Sequence, residues 1–149
     1  MPDHIQITDE LTVGTQPSES AIEALAKQGF KSVVNFRTAG EKDQPLSPTE
    51  EQTKVVAASM QYLNVPVSME SIDEAKVDAF RQQLKKLPKP VFAHCKSGKR
   101  AGAMTMMHVA VEQGMSGEQA LQQAKEMGFE CDVPKLSEFV KTYVDSHAS

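Results

Sequence analysis

Residues 91–111 read VFAHCKSGKRAGAMTMMHVAV, and this stretch decides the fold. Residues 90–93 are short and entirely apolar, which predicts a buried strand. The polar turn 94–100 follows, and an apolar-faced helix is predicted from about residue 99 to residue 113, ending at Gly114. In an open parallel sheet, ligands bind at the carboxyl ends of the strands, so this turn is the first place to look for a site.

The rest of the chain repeats the same alternation of patterns. The predicted strands span residues 5–7, 11–14, 31–36 and 62–67, and the predicted helices span 21–29, 49–60, 71–87, 116–127 and 135–144, with a polar, turn-rich connection over 37–47. Ser71 to Glu74 form a capping-box pattern. Strands that alternate with helices of about three turns predict right-handed crossovers. We therefore expect an α/β fold, with a mainly parallel sheet of about four or five strands flanked by helices, in one domain over residues 1–149.

Composition excludes several classes of protein. Of 149 residues, 40% are hydrophobic and 24% charged, which disfavours a disordered chain. A net charge of −4 disfavours general nucleic-acid binding. Neither a membrane span nor a secretory signal is visible, and two cysteines are too few for a disulfide scaffold or a zinc quartet. The expectation is a cytoplasmic protein without nucleic-acid or membrane partners; nothing indicates its oligomeric state.

Positive charge is concentrated around the turn. No Asp or Glu occurs between Ala79 and Val111. That stretch holds seven of the sixteen cationic residues: Arg81, Lys85, Lys86, Lys89, Lys96, Lys99 and Arg100. The first three fit a solvated helix face, whereas the last three crowd the turn between strand and helix. A local positive field at this edge indicates an anionic ligand.

The turn has the parts needed to bind an oxyanion and attack it. Successive backbone N–H groups and the start of a helix form an anion cradle, for which Gly98 permits the tight wrapping. Arg100 can bind two oxygens at once, and the field favours thiolate over thiol at Cys95. The predicted anion-binding residues are Lys96, Ser97, Gly98, Lys99 and Arg100. The alternatives are an inert buried thiol at Cys95 and a His94 ring that is packed beneath the loop and holds its backbone.

Other candidate ligands are less informative. Cys131 lies between Glu130 and Asp132 and is interpreted as structural. His4, His108 and His147 show no metal-ligand spacing, and Met104, Met106 and Met107 fit ordinary helix packing. We expect no metal site and no cofactor.

The ordered motifs resemble a known family. His94-Cys95-x-x-Gly98 is similar to the signature loop of cysteine-dependent tyrosine and dual-specificity phosphatases. GFKSVVNFR (29–37), Glu41, DQP (43–45), VPV (65–67) and HCxSGxR (94–100) follow one another over roughly residues 5–115. In this order they resemble the bacterial nonclassical tyrosine-phosphatase-like family, also called beta-lactamase-hydrolase-like proteins, which has a shortened HCxxGxR loop.

The resemblance implies a dual-specificity-phosphatase-like fold and hydrolysis of phosphate monoesters, phosphotyrosine included, through a phosphocysteine on Cys95 with Arg100 as the clamp. The substrate would be a phosphorylated protein or a small phosphate ester. The general acid implied is Glu70 or Asp73, although Asp73 also fits a helix first turn. Glu41 and Asp43 are rivals on the neighbouring loop.

Two departures leave other functions open. Only four residues separate Cys95 from Arg100, where the usual phosphatase loop has five, and Ala101 replaces a frequent Ser or Thr. A short loop also resembles that of rhodanese-like sulfurtransferases, which would carry a persulfide on Cys95. The helical patterns after the loop favour the phosphatase architecture. The third possibility is a phosphate-binding module with little turnover.

Overall fold

A five-stranded sheet runs through the part of the chain that the structure describes. A computed structural model of the protein describes residues 4–37, 46–67, 72–95, 99–127 and 134–147, without the side chains of 99, 134 and 135. The strands are β1 (His4–Gln6), β2 (Leu11–Gly14), β3 (Ser32–Asn35), β4 (Gln61–Asn64) and β5 (Val91–His94). Their order is β1-β2-β5-β3-β4, with β1 antiparallel to β2 and all other neighbours parallel. The predicted α/β class with a mainly parallel sheet is confirmed.

Helices cover both faces of the sheet. The described helices are α1 (Glu19–Lys27), α2 (Pro48–Ala57), α3 (Glu74–Lys86), α4 (Lys99–Glu112), α5 (Gly117–Met127) and α6 (Pro134–His147). On one face, Val33 of β3 and Phe92 of β5 pack with residues of α1 and α2. On the other face, Val34 and Ala93 pack with residues of α3, α4, α5 and α6. Successive side chains of a strand point to opposite faces of the sheet, so each buried strand contributes to two hydrophobic cores.

Helix α4 is enclosed by the rest of the protein. It contacts β2 and β5 of the sheet as well as α3, α5 and α6. A helix with neighbours on most sides buries most of its surface, and residues 101–107 are all buried. Met104, Met106 and Met107 are fully buried, as the packing interpretation expected. The helix that follows Cys95 is therefore held firmly in place.

Two helices begin where local caps dictate. Helix α2 starts at Pro48 because Ser47 and Glu50 form a capping box. It ends at Ala57, before the predicted end at residue 60, because Ser59 has a φ of 66°, which a helix does not accommodate. Helix α3 is capped by Asp73, whose side chain accepts the Lys76 backbone N–H at 2.8 Å. The predicted cap residue, Ser71, lies outside the described residues.

Strand β4 ends three residues earlier than the predicted 62–67. The Asn64 side chain turns back and donates to the backbone oxygens of Asn35 and Arg37, at 2.8 and 3.1 Å. Pro66 has no N–H to continue the ladder. Val67 still donates to the Phe36 oxygen at 3.1 Å, so the chain keeps to the edge of the sheet after the regular strand has ended.

Candidate active site

Cys95 lies directly after β5, at the carboxyl edge of the sheet. Its side chain is 1% exposed, and its Sγ accepts a hydrogen bond from the Ala101 backbone N–H at 3.5 Å. Ala101 is the third residue of α4, so its N–H is one of those that have no partner within the helix. This N–H and the positive end of the helix dipole both favour negative charge on the sulfur.

Arg100 is fixed at the same edge. Its Nη1 donates to the backbone oxygen of Val67 at 2.9 Å. Val67 follows β4 and is itself bonded to Phe36, which follows β3. Because the carboxyl ends of parallel strands share one edge, residues after β3, β4 and β5 meet here. The Arg100 guanidinium, which was predicted as a clamp, is thus held at the same edge of the sheet as Cys95.

His94 is the last residue of β5 and is completely buried. Its Nδ1 lies 3.4 Å from the backbone oxygen of Cys95, and its Nε2 lies 2.6 Å from Glu51 Oε2 on α2. The buried ring thus contacts the Cys95 backbone; the loop beneath which it was expected to pack continues into residues 96–98, which lie outside the described residues.

Glu51 belongs to a polar network beneath the edge. Gln16 Nε2 donates to Glu51 Oε1 at 2.8 Å, and Arg37 Nη1 donates to Gln16 Oε1 at 2.9 Å. The Tyr62 hydroxyl accepts a hydrogen bond from Asn35 Nδ2 at 3.0 Å. Burial, with the Glu51 charge second, raises the pKa of Tyr62 well above its ordinary value. Within the described residues, every buried side-chain nitrogen and oxygen has a hydrogen-bond partner. Arg37 follows β3, where the polar connection was predicted to begin, and it is fully buried.

The other predicted site residues are placed only in part. Asp73 is described, and its carboxylate caps α3, so its structural role is observed while its role as an acid stays a prediction. Lys99 contributes its backbone as the first residue of α4. The remaining predicted or rival site residues lie outside the described residues, and so does Cys131; they are Glu41, Asp43, Glu70, Lys96, Ser97 and Gly98.

A second polar cluster joins α3 to α6. His147 Nε2 lies 3.5 Å from both Glu74 Oε1 and Asp78 Oδ1. Tyr143 donates to Asp78, and burial, followed by this hydrogen bond, raises the pKa of Tyr143 to about 12. The cluster is a pair of ion pairs when His147 is protonated, and offers three ligand atoms to a divalent cation when it is not. Separation along the chain hid this arrangement from the sequence.

Sequence reasoning also missed the network beneath Cys95. Helix α2 was expected from its pattern, but Glu51 was not singled out. Glu51 and Val55 are both fully buried. They are four residues apart and so lie on one helix face, which was the available signal: a carboxylate on the apolar face of a helix needs a buried partner. No described helix combines the length and the apolar character that a membrane crossing requires.

The fold is of the dual-specificity-phosphatase-like type. The family model for the beta-lactamase hydrolase-like protein, phosphatase-like domain, matches residues 3–113. The chain therefore belongs to this family, as its motifs indicated.

A relative and two solved structures illustrate the similarity. The beta-lactamase hydrolase-like protein of Agrobacterium fabrum is 38% identical over 108 residues, which are 72% of this chain but only 25% of that protein. TpbA of Pseudomonas aeruginosa, solved in complex with phosphotyrosine, has a TM-score of 0.76 at 24% identity, covering 97% of this chain and 87% of its own. A kinase-associated phosphatase with its catalytic-site cysteine replaced by serine has a TM-score of 0.80 at 15% identity, covering 99% and 97%. The chain thus spans a quarter of its relative's length, whereas it matches the two phosphatase structures over most of theirs.

Proposed function

We propose that this domain hydrolyses phosphate monoesters, with Cys95 as the nucleophile. The observation that carries the proposal is the environment of its sulfur, which is buried at the end of β5 and accepts the Ala101 N–H from the first turn of α4. A helix N-terminus of this kind stabilises a thiolate and an incoming phosphate alike. A merely structural buried thiol has no need of either effect.

The reaction would proceed in two displacements. The Cys95 thiolate attacks phosphorus, an S–P bond forms, and the ester P–O bond breaks. The leaving oxygen takes a proton from an acid. Water then attacks phosphorus and passes a proton to the resulting base, the S–P bond breaks, and inorganic phosphate leaves with the thiolate restored. Arg100 would neutralise charge on the phosphoryl oxygens in both steps.

Two carboxylic acids are proposed for the proton. Asp73 caps α3 through one oxygen, Oδ1, and its second oxygen retains acceptor capacity. Glu70 precedes that helix. Both residues follow Val67 in the chain, and the Val67 backbone oxygen accepts a hydrogen bond from Arg100.

We propose a phosphorylated protein or a small phosphate ester as the substrate. The structural neighbour TpbA was solved with phosphotyrosine, so an aryl phosphate is the first probe to use. The family and the neighbouring structures support phosphate rather than sulfur chemistry, and the four-residue spacing between Cys95 and Arg100 makes sulfur transfer the control reaction.

The test compares the two cysteines of the chain. Cys95→Ser should abolish p-nitrophenyl phosphate hydrolysis, and the matched variant Cys131→Ser should retain nearly all of it. Trapping by rapid acid quench should recover phosphate on the wild-type protein and not on Cys95→Ser. Equal activity in the two variants contradicts the assignment of the nucleophile. Formation of thiocyanate from thiosulfate and cyanide, without phosphate release, would instead support the sulfurtransferase.

A further inference from the structure

Two asparagines end neighbouring parallel strands at the edge of the sheet that carries Cys95. Asn35 is the last residue of β3 and Asn64 the last of β4, and the two are partners in the register of the sheet. The Asn64 side-chain nitrogen donates to the backbone oxygens of Asn35 at 2.8 Å and of Arg37 at 3.1 Å. A carbonyl oxygen only accepts, so the amide nitrogen must be the atom that faces both of them. The Asn64 side chain thus joins the end of β4 to the end of β3 and the residues after it.

Backbone hydrogen bonds continue this connection beyond the strands. The Val65 N–H donates to the Asn35 oxygen at 2.8 Å, and the Val67 N–H donates to the Phe36 oxygen at 3.1 Å. The Phe36 N–H in turn donates to the His94 oxygen, at the end of β5, at 2.9 Å. The chain after β4, the chain after β3 and the end of β5 are therefore held together at one edge.

Val67 links this connected backbone to Arg100. Its N–H is bonded to Phe36, and its oxygen accepts a hydrogen bond from Arg100 Nη1 at 2.9 Å. Val67 is fully buried, so water competes little for this hydrogen bond. An arginine that binds two oxygens of a tetrahedral anion must present its planar fork in one orientation. The position of the Val67 oxygen therefore helps to set the orientation in which Arg100 meets an anion.

We propose that Asn64 is a positioning residue for oxyanion binding: it ties the end of β4 to the residues after β3, and so holds the Val67 oxygen where it orients the Arg100 guanidinium. This inference rests on the proposed function, in which Arg100 binds the phosphoryl group. Asn64 acts through Val67 rather than on the substrate. The backbone hydrogen bonds of Val65 and Val67 do not involve the Asn64 side chain, so we expect the sheet to persist when the side-chain amide is removed.

The first experiment measures how rigidly Arg100 is held, by ¹⁵N relaxation of the arginine side chains. The chain has only three arginines, at positions 37, 81 and 100, and Arg100→Lys identifies the Arg100 signal by its loss. In the wild type, the order parameter of the Arg100 Nε–H bond should be about 0.85, as in rigid backbone, and in Asn64→Leu it should fall below about 0.6. Leu has nearly the size of Asn and no donor. A mobile Arg100 in the wild type, or an unchanged order parameter in the variant, overturns the proposal.

The second experiment measures the affinity of the protein for inorganic phosphate by calorimetry. Asn64→Leu should weaken phosphate binding about three- to tenfold, because a long side chain that is no longer held in place must be ordered when the anion binds. An affinity equal to that of the wild type overturns the proposal.

The matched control for a general loss of stability is Ser47→Ala. Ser47 caps α2, so removing its hydroxyl should destabilise the protein about as much as removing a hydrogen-bonded amide does. Its phosphate affinity and its Arg100 order parameter should match those of the wild type. Equal losses of affinity in Ser47→Ala and Asn64→Leu would show a general effect of reduced stability and contradict the proposed route.

A double variant tests whether Asn64 acts through Arg100. A lysine ammonium has three rotatable donors and no plane to orient. Asn64→Leu should therefore have little further effect on phosphate affinity once Arg100→Lys is present. A further loss as large as that in the wild-type background would show that Asn64 acts by another path, and would overturn the proposal. None of these measurements follows the hydrolysis of an ester, so a failure here is distinct from a failure of the phosphatase assay.

Discussion

Acid should destabilise this protein through one histidine far from the candidate nucleophile. His108 lies on α4, where Arg81 Nε donates to its Nδ1 at 3.3 Å. Burial, with the Arg81 charge second, lowers the pKa of His108 from 6.5 to about 4. The unfolded ring takes up a proton as the pH falls below its ordinary value, while the folded ring resists until about its own lower value. Stability is therefore complete above about pH 6.5 and is lost as the pH falls toward about 4.

The magnitude follows from the two pKa values. At about pH 5 the unfolded ring is almost fully protonated and the folded ring almost fully neutral, which amounts to a loss of about 2 kcal/mol relative to about pH 7.5. His108 lines an open cavity of about 460 Å³, shared with Lys85 and Glu112. Water in that cavity screens the charge, so we expect about half of this loss, ~1 kcal/mol.

The assay is urea unfolding of the wild type and of His108→Gln at both pH values. Gln keeps an acceptor for Arg81 and cannot be protonated, so the wild type should lose ~1 kcal/mol more than the variant between about pH 7.5 and pH 5. The corresponding difference in melting temperature is about 2–4 °C. His4→Gln, at an exposed position, is the control and should behave as the wild type. A stability difference between wild type and His108→Gln that does not change with pH would refute the reasoning.

Three further experiments use substitutions to test the acid, a close backbone approach and a cap. Asp73→Asn keeps the helix cap. If Asp73 is the acid, the rate of alkyl phosphate hydrolysis should fall about a hundredfold or more, with far less effect on aryl phosphates. Unchanged rates in both Asp73→Asn and Glu70→Gln would exclude both residues as the acid. Gly117→Ala should destabilise by about 1–3 kcal/mol in urea unfolding, because an added Cβ would lie 2.5 Å from the Lys141 oxygen; unchanged stability would mean that the two helices separate freely. Ser47→Ala should cost about 1 kcal/mol of stability and Ser47→Asp much less, since Asp also caps; equal losses would contradict the cap.

The features that could be predicted from the sequence are those formed by residues that lie close together along the chain. The apolar strand, the basic turn and the helix around Cys95 follow one another within 21 residues, 91–111. Their order alone brings the Ala101 N–H to the sulfur, six residues away along the chain. The apolar face of α4 likewise predicts a helix packed against the core. Local order was therefore sufficient for the fold class and for the candidate nucleophile.

The network beneath the site depends on contacts that no local pattern specifies. Glu50 and Glu51 are adjacent and identical, yet Glu50 caps α2 at the surface and Glu51 is buried against His94. The packing of α2 against the sheet decides which of the two glutamates is buried and which lies at the surface. The burial of Arg37 is likewise invisible in the local pattern, because a charged residue after a strand is usually solvated. Its partner Gln16 lies 21 residues earlier in the chain.

The two proposed chemical steps make opposite demands on the Cys95 sulfur. A stabilised thiolate is a weaker nucleophile and a better leaving group, so the N-terminus of α4 helps the second displacement more than the first. That second step is where this chain lacks a common aid, because Ala101 replaces the hydroxyl residue that many phosphatases have after the arginine. Ala101 still offers its backbone N–H to the sulfur at 3.5 Å. Among the described groups, this N–H is therefore the one that would stabilise the departing thiolate in place of the missing hydroxyl.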